Sequence, residues 1–130
     1  MMLSMAGKTR WALWCVFVAV WTGLLLMPAG PVLGLLTRWE FIEAHKYLLA
    51  KSLHVAAYAV MTILTGSLQF PARIRWLPLF CLMSHATLTE ILQLHIEGRT
   101  GTLYDVGYDE FGIALGIALS WKWWVKKEAC

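Results

Sequence analysis

The chain has 130 residues, of which 59% are hydrophobic and only 15% charged, with a formal net charge of +3 and a mean hydropathy of +0.62. Soluble domains carry about 25% charged residues, so this composition excludes an ordinary water-soluble domain and fits one compact helical bundle in a membrane. No basic run interleaved with aromatics is present, which sets nucleic-acid partners aside.

Lys8 and Arg10 precede a first apolar stretch, 11–27, which Pro28 stops. Its 17 positions lie near the lower limit for a spanning helix and exceed the ~7–15 of a signal-peptide core, which favours a retained span over cleavage. Ala12, Cys15, Ala19, Thr22 and Gly23 form a stripe of small residues suited to helix packing. From Pro28 to about Ala50, Trp39, Phe41, Ile42, Leu48 and Leu49 mix with Arg38, Glu40, Glu43, His45 and Lys46. That mixture predicts a short interfacial helix after the first span, with His45 as a solvated group.

The second span is expected over 53–70, with Lys51, His54, Tyr58, Met61 and Thr65 on one stripe. A basic turn with Arg73 and Arg75 leads to a third span, 76–94, which holds His85, Glu90 and Gln93. His85 lies roughly 140° around the wheel from Glu90, so it is expected to pack or bond between helices elsewhere. Gly98 and Gly101 flank Arg99-Thr100, where the backbone can turn tightly or approach a ligand. The fourth span, 106–125, ends in Trp121, Lys122, Trp123, Trp124, Lys126 and Lys127, a collar expected at the interface. Cys15 and Cys81 sit in apolar segments and Cys130 beside lysines, so no structural disulfide is expected.

The fold class is therefore all-α: a four-transmembrane-helix bundle forming a single membrane domain over 1–130, with no internal repeat. Lys8, Arg10, Arg73, Arg75, Lys122, Lys126 and Lys127 fall at one end, against Arg38, Lys46, Lys51 and Arg99 at the other. Seven against four places both termini in the cytoplasm.

The stretch 87–116 carries the polar chemistry. Glu90 and Gln93 share a helix face, as do Asp105 and Asp109 on the next segment, which Gly112, Gly116 and Ser120 continue. An ionisable group at a helix centre in the bilayer costs at least ~2.5 kcal/mol, so Glu90 and Asp109 are expected to face other helices. Gly112 and Gly116 are spaced for helix–helix association. Lys51, His54, Tyr58, Glu90, Gln93, Arg99, Asp105 and Asp109 then gather at the outer ends of spans two to four.

Lys51-x-x-His54-x-x-x-Tyr58, then Glu90-x-x-Gln93, then Gly98-Arg99, then Asp105 with a polar residue four positions on and Gly112-x-x-x-Gly116, resembles the VanZ-like family over about 51–116. The resemblance implies a small polytopic protein of the bacterial envelope, in a family named for an accessory factor in teicoplanin resistance and without a settled activity. Two positions depart from the family pattern: Ala50 stands where an Asp precedes the lysine, and Asp109 where an Asn is usual.

Four chemistries are open to such a site. Lys51 and Arg99 beside carboxylates could hold the headgroup of an envelope lipid or peptidoglycan precursor. The same polar groups could instead only lock the bundle. His54 and Glu90 could act as an acid/base pair in an intramembrane enzyme, with Tyr58, Thr100 or water as nucleophile. A metal on His54, Glu90, Asp105 and Asp109, with Mg²⁺ or Mn²⁺ preferred to Zn²⁺, ranks third behind binding or support and catalysis. The sequence gives no positive signal for a metal or cofactor.

Overall fold

The computed structural model describes residues 5–28, 40–99 and 101–125, all in helices, turns or short loops, with no strand among them. We label the helices α1 (Met5–Leu26), α2 (Glu40–Ser67), α3 (Leu77–Gln93), α4 (Leu103–Leu119) and α5 (Trp121–Trp124); a 3-10 turn, Ala72–Ile74, precedes α3. By length and hydropathy, α1 and the His45–Ser67 part of α2 are apolar enough to cross a membrane, each at mean hydropathy 1.5. At 17 residues, α3 and α4 are each about 25 Å long, close to the ~30 Å of hydrocarbon.

Three expectations change at this level. The interfacial helix is not a separate element: 40–67 is one uninterrupted helix of 28 residues, and the mixed segment is its first turns. Nothing between Glu40 and Thr65 breaks it, since the stretch contains no proline or glycine. Arg38 and Trp39 lie outside the described residues. The helix expected as the second span ends at Ser67 rather than 70, where Gln69 takes a positive φ of 56° and its N–H reaches the Gly66 carbonyl. The helix expected as the last span starts earlier, at Leu103, because Thr102 is an extended N-cap whose hydroxyl accepts from the Asp105 N–H.

The collar also divides. Ser120 interrupts the helix and donates to the Gly116 carbonyl at 2.5 Å, and the Trp124 indole donates to Ser120 at 2.9 Å. Trp124 is thereby folded inward, only 2% exposed, and stacks on Trp76. Trp121 and Trp123 remain exposed. Arg75 donates to the Trp124 carbonyl, tying the basic turn to the last helix.

Cross-helix contacts fix the arrangement. Arg10 with Ser67, Trp14 with Thr65 and Trp21 with His54 run α1 and α2 antiparallel. Thr22 with His85 and Leu25 with Gln93 run α1 and α3 parallel. Along α2 and α4 the register is parallel: Lys51 meets Asp105, His54 meets Asp109, Gly112 lies on Val55 and Tyr58, and Gly116 on Ala59 and Thr62. Direction therefore alternates from α1 to α4. A Cβ on Gly112 would come 2.5 Å from the Val55 carbonyl oxygen, and one on Gly116 2.6 Å from Thr62 Cβ. The glycine stripe is what brings the two backbones together.

Polarity is inverted relative to a soluble bundle. Thr62, Thr65, Thr89, Glu90, Gln93, Asp105, Asp109 and Ser120 are buried among Tyr58, Met61, Leu82, Ala86 and Ile113. Phe80 is 67% exposed, Phe111 62% and Leu119 68%. Cys15 and Cys81 are free and exposed, and Cys130 lies outside the described residues.

Candidate functional site

The stripe Lys51, His54, Tyr58, Met61, Thr65 is the face that α2 turns inward: the first two are partly buried, and the last three are fully buried. At the N-terminal end of that stripe Lys51 makes an ion pair with Asp105. Its ammonium also lies over the Tyr47 and Tyr108 rings, at 4.9 and 5.9 Å from their centroids. One turn deeper, His54 Nδ1 lies 2.8 Å from Asp109 Oδ1, with the Trp21 ring edge-on to the imidazole. The spacing of four between Asp105 and Asp109 matches that of three between Lys51 and His54, because the two helices run parallel.

Glu90 enters from α3. Its Oε2 accepts from the Thr102 N–H at 3.2 Å, while Oε1 has no partner among the described residues. Gly101 allows this contact: a Cβ there would collide with the Glu90 backbone carbonyl, so the loop lies close against helix α3. Gly98, at φ 73°, makes the turn that brings the loop back. Glu90 and Asp109 both face the interior, at 3% and 0% exposure.

Three expected members of the site have other work. Tyr58 donates or accepts with His85 Nδ1 at 3.0 Å, and His85 Nε2 meets Thr22 at 2.9 Å, so a chain of polar contacts ties α1, α2 and α3. His85 is thus an interhelical bonding group. Gln93 donates to the Leu25 carbonyl at 3.0 Å. Arg99 does not join the carboxylates: Nε donates to Met27 and Nη2 to Leu24. The last carbonyls of α1 lack helical partners and carry the negative end of the helix dipole, so a guanidinium one loop away is drawn there. Arg99→Ala is expected to fray this turn by about 1 kcal/mol. Amide exchange at residues 24–27 should quicken, and unchanged exchange there would refute the capping role.

Thr102 belongs to the site although the expected set omits it. Its N–H serves Glu90 and its hydroxyl donates to Asp105 Oδ2 at 2.9 Å. The signal was present as Thr102-x-x-Asp105, a capping pattern before an apolar run. Trp21 was not marked by any pattern, because only packing places it on His54.

What remains together is Lys51, His54, Glu90, Asp105 and Asp109: three carboxylates, one imidazole and one ammonium at one end of the helices. The class so defined is an all-helical protein with two helices suited to a membrane and an acidic, histidine-containing cluster within its bundle. Compared with protein-family models, curated proteins and solved structures, the chain finds no match.

Proposed function

We propose that the chain is a VanZ-like, four-span protein of the bacterial inner membrane, with both termini in the cytoplasm. Its outer cluster of Lys51, His54, Glu90, Asp105 and Asp109 binds the polar headgroup of an envelope lipid or peptidoglycan precursor. The observation that carries this reading is the polarity of the bundle, apolar on its exterior and charged within one end. Apolar side chains such as Val16, Phe80, Leu88, Phe111 and Leu119 face outward, and charged groups converge inside at one end. An apolar exterior of this extent suits lipid rather than water, and buried ionisable residues in such a setting mark sites.

Lys51 and His54 are the partly exposed edge of the cluster, at 16% and 12% side-chain exposure, and they are where a headgroup would enter. Reporter fusions at the C-terminus should read cytoplasmic, and those in the 94–104 loop external; a cytoplasmic loop sinks the orientation. Full-length protein purified in detergent should retain envelope lipid on delipidation, seen by native mass spectrometry. Glu90→Gln, if still folded, should lose it. Equal retention by both proteins would refute the binding site.

The enzyme reading has one observation in its favour: Asp109 holds His54 as a carboxylate holds a general base. Tyr58 is engaged with His85 and Thr89 instead of His54, which leaves water as the nucleophile for that reading. Thr100 lies outside the described residues.

A further inference from the structure

On sequence alone a metal ranks third, and the side-chain positions raise it. His54, Glu90 and Asp109 come from α2, α3 and α4, and each offers one donor atom within 4.8 Å of the others. Three helices are thus pinned at one point by groups that are the ordinary ligands of divalent cations. A second and separate observation concerns the partners of these groups. Glu90 Oε1 and Asp109 Oδ2 have no hydrogen-bond partner among the described residues, though their residues are 3% and 0% exposed. Buried carboxylate oxygens are costly to leave unmatched.

The nearby protein cations are already committed. Lys51 is paired with Asp105, and Arg99 with the carbonyls of α1. The other oxygen of each carboxylate is held in place, Glu90 Oε2 by the Thr102 N–H and Asp109 Oδ1 by His54. Such bonds fix the orientation of carboxylates and leave one oxygen of each for an ion.

We infer that His54, Glu90 and Asp109 bind one divalent first-row cation through one nitrogen and two carboxylate oxygens. It shares the location of the headgroup site proposed above and deepens that reading: a cation there leaves coordination positions open toward the Lys51 edge, where a phosphate oxygen could complete them. Protein ligands at ~2.1 Å from one ion stand roughly 3–4 Å apart, so donors separated by up to 4.8 Å would draw together around the ion. Mixed imidazole and carboxylate donors suit Mn²⁺ and Zn²⁺ better than Mg²⁺, which prefers oxygen and retains its water. Asp105 is excluded from the coordination sphere by its bonds to Lys51 and Thr102.

The test uses the full chain in detergent, stripped with EDTA and free of added lipid. Mn²⁺ is titrated with free ion read by electron paramagnetic resonance, and Zn²⁺ is added as competitor. One Mn²⁺ per chain, displaced by Zn²⁺, is expected. Glu90→Gln and Asp109→Asn should each weaken binding at least about tenfold, the loss that even an outer partner of a metal ligand can cause. Glu97→Gln and Glu110→Gln, which alter exposed carboxylates away from the cluster, should bind as wild type does. Circular dichroism confirms that each variant compared is helical, and the wild-type stoichiometry stands without any variant. No saturable binding by wild type overturns the inference, as does binding that Glu90→Gln leaves unchanged or that Glu97→Gln weakens equally. Because the titration contains no lipid, the metal and the headgroup can each fail alone.

Discussion

Gly116→Leu should prevent the bundle from assembling. The Cβ alone would sit 2.6 Å from Thr62 Cβ and 2.7 Å from the Ala59 carbonyl oxygen, and neither backbone can yield without opening the α2–α4 seam. Overpacking a filled core costs typically 1–3 kcal/mol, and a branched side chain against backbone falls at or beyond the upper end. In lipid the penalty is felt in full, because close packing is a main source of helix association there. The damage would reach the site, since the same seam sets Lys51 against Asp105 and His54 against Asp109. Gly107→Ala supplies the contrast: a Cβ there meets nothing within 4 Å, and alanine gains about 1 kcal/mol over glycine in a helix. Denaturant titration of the detergent-solubilised protein, followed by circular dichroism, would read both. Similar stability for Gly116→Leu and wild type would refute the close seam.

Lys51→Met is expected to cost about 3–5 kcal/mol, because it leaves Asp105 charged, 3% exposed and without its ammonium. Asp105→Asn should cost less. The Lys51 side chain is 16% exposed and long enough to carry its charge toward the interface, whereas Asp105 cannot move from the first turn of α4. Asparagine also keeps a partner for the Thr102 hydroxyl. The double variant should recover a large part of the Lys51→Met loss, giving a coupling energy well above the ~0.5 kcal/mol at which sites count as independent. Strictly additive losses in the cycle would show that the pair contributes nothing by pairing. With Asp105 on the lysine, Asp109 is left to His54.

Much of the chain's organisation is legible without coordinates, for reasons that are local. Apolar length marks α1 and most of α2, and Pro28 ends the first where the chain must leave a helical backbone. The spacing of Lys51, His54 and Tyr58, and of Asp105, Asp109, Gly112 and Gly116, identifies the inward faces because helical periodicity is a property of one helix at a time. The burial of Glu90 and Asp109 follows from the cost of a charge in an apolar segment.

Which charge meets which is not local, and there only the tertiary structure decides. Sequence places Lys51 and Arg99 alike beside the carboxylates, yet the parallel seam of α2 and α4 delivers Lys51 to Asp105, while the loop after Gly98 delivers Arg99 to the carbonyls of α1. Trp124 reads as an interfacial anchor until the break at Ser120 turns its ring against Gly66. The two unmatched oxygens of Glu90 and Asp109 are visible only once three helices are packed. Periodicity determines the face a residue occupies; the register and crossing of helices, set here by glycines 112 and 116, determine its partner.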